Sequence, residues 1–202
     1  MLPTRYAFLT LPPAPPALVA AAVAEYGTVE GVAGSNNPRI IEWADQVAKA
    51  MPTPYNNWAA DWYNSDSVAW CGLFMALCAI HSANGQTDRF PPQNYLSALA
   101  WADFGIPVQW KGREGLRLNE ILVGDVAVFS REGGGHVACI IGVTTDSRFV
   151  VCIGGNQGDC VSIKQFPISR LYAVRRPPYR VRPEGARHVR LSSTGVASTN
   201  EA

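Results

Sequence analysis

The period of the hydrophobic pattern changes partway along the chain. Residues 17–26 are mostly apolar and stop at Gly27, which predicts a short helix with a glycine terminus. Residues 31–37 read as loop, and Pro38 suits the first turn of a second helix running to about Ala50. Ile40, Ile41, Trp43, Ala44, Val47 and Ala48 fall on one face of it. Residues 52–64 read as a long loop carrying Trp58 and Trp62. Asp66 or Ser67 is placed to cap a third helix over about 68–82, with Trp70, Leu73, Phe74, Leu77 and Ile80 as its core stripe and Asn84-Gly85 as its end. A short helix around 94–103 stops at Gly105, ahead of Pro107.

From there the runs become short, β-branched and separated by glycine or polar turns. Five strands are predicted, at about 125–130, 136–143, 149–154, 161–165 and 171–175. Helices first and strands second point to an α+β fold with an antiparallel sheet. Residues 1–16 are proline-rich and read as an irregular arm. Residues 17–177 form the folded domain. Residues 178–202, rich in Pro, Arg, Ser and Thr, read as a loose basic tail.

With 202 residues, 48% of them hydrophobic and 16% charged, the chain has the material for one packed domain. The net charge is +1, which does not suit a nucleic-acid binder. The charge is uneven: from Arg170 onward there are seven Arg against two Glu, and before it ten basic against fourteen acidic residues. No apolar run reaches the roughly 20 residues that span a bilayer. Pro12, Pro13, Pro15 and Pro16 interrupt the N-terminal apolar stretch, and Arg5 is the only side-chain cation before it, so no clear signal peptide is read there.

The chain has five cysteines, with no Cys-x-x-Cys pair and no dense framework. That argues against a disulfide-stapled module and a structural zinc site, and leaves a nucleophile as the more natural use for one of them. Cys71 falls in the first turn of the third helix, where unpaired backbone N–H groups and the helix dipole lower a thiol's pKa. On position alone, a small buried core residue is the plainer account. His136 alters that balance. It follows Gly133-Gly134-Gly135, a bare backbone that a substrate can approach, and it opens a strand whose apolar pattern has no need of a histidine there.

The next two strands flank a short turn centred on Asp146. In a symmetric antiparallel hairpin the paired numbers sum to a constant, here 292, which sets Asn156 opposite His136. A slip of one residue brings in Gly155 or Gln157 instead. Taken alone, Asn156 reads equally well as a turn residue. Nucleophile on a helix N-terminus, base on one strand and orienter on the next is the logic of Cys–His–Asn catalysis. His81 shares the helix with Cys71, about 15 Å along the axis, and His188 lies in the tail. Cys78, Cys139 and Cys152 read as core. The His136/Cys139 spacing has no second ligand pair, so neither metal nor other cofactor is expected.

The segment Ala69-Trp70-Cys71-Gly72-Leu73-Phe74 resembles the nucleophile motif of a phage-type subfamily of papain-like cell-wall hydrolases, of the NlpC/P60 and CHAP kind. Asn36-Asn37-Pro38-Arg39-Ile40, Val123-Gly124-Asp125-Val126-Ala127-Val128-Phe129, Gly135-His136-Val137-Ala138 and Gly154-Gly155-Asn156-Gln157 match further motifs in the same order, so the likeness covers about 20–177. Many NlpC/P60 enzymes carry Asp just before the Cys; here Trp70 stands there, as in the phage-type subfamily.

The resemblance implies a papain-like fold, Cys71 as nucleophile, His136 as base and Asn156 as third member, with Trp70, Gly135 and Gln157 beside the substrate. It implies hydrolysis of an amide bond in peptidoglycan by a phage-encoded endolysin or virion-associated enzyme. Bacterial peptidoglycan and phage virion proteins would be the partners, and the virion or host cytoplasm the location from which the wall is reached. Trp58, Trp62, Trp101 and Trp110 are further candidates for groove walls, though core packing accounts for most tryptophans. The same triad would serve an antibacterial effector or a protein-directed transglutaminase or deamidase, and the arm and tail would suit a non-catalytic virion binding module.

Overall fold

The second helix forms where the cap and proline signals put it. In the computed structural model, which describes residues 1–32, 34–51, 61–110, 117–194 and 197–198, α2 runs Pro38–Ala50. Asn37 caps it, its Oδ1 accepting from the Arg39 N–H at 2.9 Å, and Ile40, Trp43, Ala44, Val47 and Ala48 are buried. Before it, α1 (Ala17–Ala24) buries Leu18, Val19 and Ala22. The third helix, α3, runs Cys71–Ala83 and ends on Asn84 in the left-handed conformation. Residues 94–103 yield a 3-10 helix at Ala98–Asp103. Trp58 lies outside the described residues. Among the described residues no helix is long and apolar enough to cross a membrane.

The strands are β1 (Ile106–Trp110), β2 (Val126–Arg131), β3 (Gly134–Thr144), β4 (Phe149–Gly154), β5 (Ser162–Pro167), β6 (Leu171–Arg176) and β7 (Arg190–Leu191). They make one sheet in the order β1-β6-β2-β3-β4-β5, antiparallel throughout, with β7 added parallel to β3. The fold is α+β, as the order of the elements predicts. β1 and β7 have no counterpart among the five predicted strands. β1 contains Pro107, which a sheet tolerates because β1 is an edge strand.

The sheet has two buried faces. Val126, Val128, Val137, Cys139, Ile141, Val151 and Ile153 face the helices and share their core. Ala127, Phe129, Ala138, Ile140, Val150, Cys152 and Phe166 build a second core on the other face. Phe129 on β2 and Phe166 on β5 stack with centroids 4.5 Å apart, although two strands lie between them. Three strand spacings span about 14 Å in a flat sheet, so the sheet curls tightly toward this second face.

Both terminal segments are packed onto the domain. Residues 1–16, expected as an irregular arm, contain a 3-10 helix at Thr4–Leu9 that buries Tyr6 and Leu9 in the main core. The segment expected as a loose tail docks as well. Val123, Val143 and Thr145 donate backbone N–H bonds, each 2.9 Å, to the carbonyls of Arg187, Val189 and Leu191. Val189 and Leu191 also pack on the core. Too few apolar residues mark this tail as folded in the sequence; it is held largely through its carbonyls, which any residue supplies.

Candidate active site

The site begins with the way α3 enters the core. Trp70 is the residue before the helix and offers no side-chain cap; it is fully buried, its indole N–H donating to Glu30 Oε2 at 3.0 Å and its ring 5.8 Å from Trp43. Asp66, expected as a cap, instead accepts from the Gly31 and Asn37 N–H groups, both at 2.7 Å, and so ties the loop before α2 to the loop before α3. The helix therefore starts at Cys71 without a side-chain cap from Trp70 on its first-turn N–H groups.

Those N–H groups meet the Cys71 sulfur. The backbone N–H groups of Val137, Gly72 and Cys71 itself, with the Arg131 charge, favour the thiolate. Burial outweighs them: Cys71 is 4% exposed, and its thiol is pushed above the ordinary cysteine range. The helix terminus alone predicts a lowered thiol, and the structure reverses that direction through desolvation.

Val137 can give its N–H to the sulfur because β4 stops short. The last paired rungs between β3 and β4 at this end are Ile140↔Cys152 and Cys139↔Ile153, and β4 ends at Gly154. Ile140 N–H points to Asp125 on the β2 side, so by alternation the Val137 N–H points to the side that β4 has left. Cys71 fills that gap.

His136 is the neighbour of Val137 on β3, and its side chain therefore takes the other face. It is fully buried there, stacked on Phe166 (5.2 Å, 20°) and Phe129 (6.1 Å, 21°). Its Nε2 lies 3.2 Å from Gln157 Oε1. The His136 imidazole and the N–H group that holds the Cys71 thiol thus belong to consecutive positions of β3, the sulfur at the strand's open edge and the ring on the curled face.

The hairpin register matches the sum of 292 at 139/153 and 140/152, before a bulge near the turn. The rung that would set Asn156 against His136 does not form. Asn156 turns into the left-handed region (φ 56°), which carries the chain out of the sheet before that rung. Asn156 is buried at 3% exposure, and Gln157, expected beside the substrate, brings its side chain to the imidazole. Its amide also donates from Nε2 to the Ser162 carbonyl at 2.6 Å, while its backbone carbonyl accepts from Ser162 Oγ at 2.9 Å. No local signal in the sequence points to Ser162; only the loop between β4 and β5 brings it there.

Trp70, expected beside the substrate, and Trp101, for which core packing is the plainer account, both lie inside the packing. Trp70 is at 0% exposure, and Trp101 is equally buried, with its indole on the Tyr95 carbonyl at 3.0 Å. Gly135 is not open: a Cβ there would sit 2.9 Å from Leu99 Cδ2 and 2.8 Å from the Phe129 carbonyl oxygen. Its glycine admits the 3-10 helix that carries Leu99. Trp62 is exposed at 56%. A polar recess lined by Glu30, Gly31, Ser35, Asn36, Asn64 and Asp66 opens beside the Trp70 indole. His81 sits in the last turn of α3, remote from Cys71 at its start. Among the described residues no three His, Cys, Asp or Glu side chains gather to hold a metal. Comparisons with protein-family models, with curated proteins and with solved structures find no match for this chain.

Proposed function

We propose that this protein is a papain-like cysteine hydrolase that cleaves an amide bond of the peptidoglycan stem peptide. The observation that carries the reading is a thiol at the first position of a core helix, ringed by backbone N–H groups. It lies against the strand residue next to a histidine whose Nε2 faces a side-chain amide. In the reaction, the His136 imidazole takes the Cys71 proton and the thiolate attacks the substrate carbonyl. The N–H of Cys71 steadies the oxyanion, the C–N bond breaks and the amine leaves with the proton from the imidazolium. Water, deprotonated by the same imidazole, then releases the acid and restores the thiol. Burial holds the thiol above its ordinary range, so on this reading a base must take its proton, the role given to His136. The ordered motifs from Asn36 to Gln157 and the α+β architecture also support the reading.

The test is digestion of purified sacculi, with mass spectrometry of the released fragments. New amine and carboxyl termini on stem peptides are expected from the wild-type chain, and none from Cys71→Ala. Intact sacculi would overturn the reading. The 4% exposure of Cys71 favours a second one, in which the fold binds without cutting. Iodoacetamide separates the two: a catalytic Cys71 alkylates ahead of the partly exposed Cys160, whereas a structural one alkylates after it.

A further inference from the structure

We propose that Gln157, rather than Asn156, is the positioning residue that selects the tautomer of His136. The inference deepens the hydrolase reading and rests on it for its kinetic arm only. The orientation of the Gln157 amide is decided by its far partner. The Ser162 carbonyl can only accept, so the Gln157 NH2 must face it, at 2.6 Å. The amide oxygen then faces the imidazole, 3.2 Å from Nε2. An amide oxygen also only accepts, so Nε2 carries the hydrogen and the basic lone pair falls on Nδ1. When Nδ1 takes a proton, the Nε2–H bond to Gln157 stays in place and strengthens, because its donor becomes charged.

The surroundings are shaped for this amide. Gln157 is fully buried, its backbone N–H donates to the Cys160 carbonyl at 3.0 Å, and its carbonyl receives Ser162 Oγ. Gly154 makes room for it: a Cβ at that position would stand 2.7 Å from Gln157 Oε1. Phe166 and Phe129 stack on the ring and oppose its rotation away from the amide. Asn156, with φ 56°, supplies the turn that swings Gln157 inward.

The experiment is long-range 1H–15N spectroscopy of the imidazoles in the full-length 15N-labelled chain, with His136 assigned by the signals lost in His136→Gln. Above its titration, wild-type His136 is expected in the Nε2–H form. The Nδ1–H form in the wild type would overturn the proposal, whether or not any variant folds. Gln157→Met keeps the length and removes the amide; it is expected to give a mixed tautomer population, while Asn156→Gly, which keeps the left-handed turn, retains the Nε2–H form. An unchanged tautomer in Gln157→Met would equally refute the assignment. On stem-peptide substrate, Gln157→Met should lose about tenfold or more in kcat with KM little changed, part of the factor a positioned base supplies. A raised KM with kcat kept would return Gln157 to substrate contact and refute positioning. Absence of hydrolysis by the wild type would sink the hydrolase reading and leave the tautomer result standing.

Discussion

Gly155→Ala tests how closely α3 must approach the end of β4. Gly155 does not have the positive φ that would strain any side chain, so its cost is steric. A Cβ there would lie 2.6 Å from Phe74 Cβ and 2.7 and 2.8 Å from Trp70 Cζ3 and Cε3. Carbon atoms settle at about 3.5–4.0 Å, so each contact is short by roughly 1 Å. Neither neighbour yields easily. Trp70 is wedged against Trp43 and pinned through its indole to Glu30, and Phe74 lies 5.8 Å from the same Trp43. The helix start must therefore move. Overpacking of this kind costs about 1–3 kcal/mol. The stiffer unfolded chain returns about 0.4–1 kcal/mol. A net loss of about 1–2 kcal/mol corresponds to a Tm lower by roughly 2–8 °C for a domain of this size. Urea unfolding, with the midpoint lowered and the slope unchanged, is the assay. Gly134→Ala is the matched control, since its added Cβ meets only Arg131 Nε, at 4.0 Å. A Gly155→Ala protein within about 0.5 kcal/mol of wild type would refute the argument, since it would mean that Trp70 and Phe74 can give way.

Two further outcomes follow from the packing. Asp125 is 1% exposed and accepts from Arg176 Nε and Nη2 at 2.7 and 2.8 Å. Arg176→Met leaves that carboxyl buried without its cation, a change that costs about 3–5 kcal/mol at neutral pH. Burial already raises the Asp125 carboxyl and Arg176 lowers it, so the variant's carboxyl rises further. A raised carboxyl costs stability above its folded value and stops costing it as pH falls and the group protonates. The deficit of the variant against wild type should therefore shrink toward acid pH in parallel unfolding series. Truncation after Pro183 removes the acceptors of three domain N–H groups, those of Val123, Val143 and Thr145, and should lower stability by about 2–4 kcal/mol at roughly 1 kcal/mol per bond. A truncated chain that melts with the full-length one would restore the picture of a loose tail.

The local features of this chain are legible one segment at a time. Asn37 and Pro38 start α2 because cap and proline chemistry act within a single turn. The β4 strand falls on the expected 149–154 because a hairpin is a local pairing; the turn at Asp146 itself pairs 143 with 150 and 142 with 151, a sum of 293, and only the bulge between Ile140 and Gly142 brings the later rungs to 292. Cys71 lands in the first turn of its helix for the same reason. What needed the whole fold is everything decided between distant segments. Whether the thiol rises or falls depends on how deeply α3 sinks against β3, and burial is a property of all the atoms around it. The choice of Gln157 over Asn156 as the imidazole's side-chain partner turns on one left-handed residue and on Ser162 across a loop. The C-terminal segment docks largely through backbone carbonyls that carry no signature in the side-chain pattern, and the N-terminal one through Tyr6 and Leu9, whose burial only the assembled core decides. Periodicity reports which face of an element is apolar; only the assembled structure decides what that face meets.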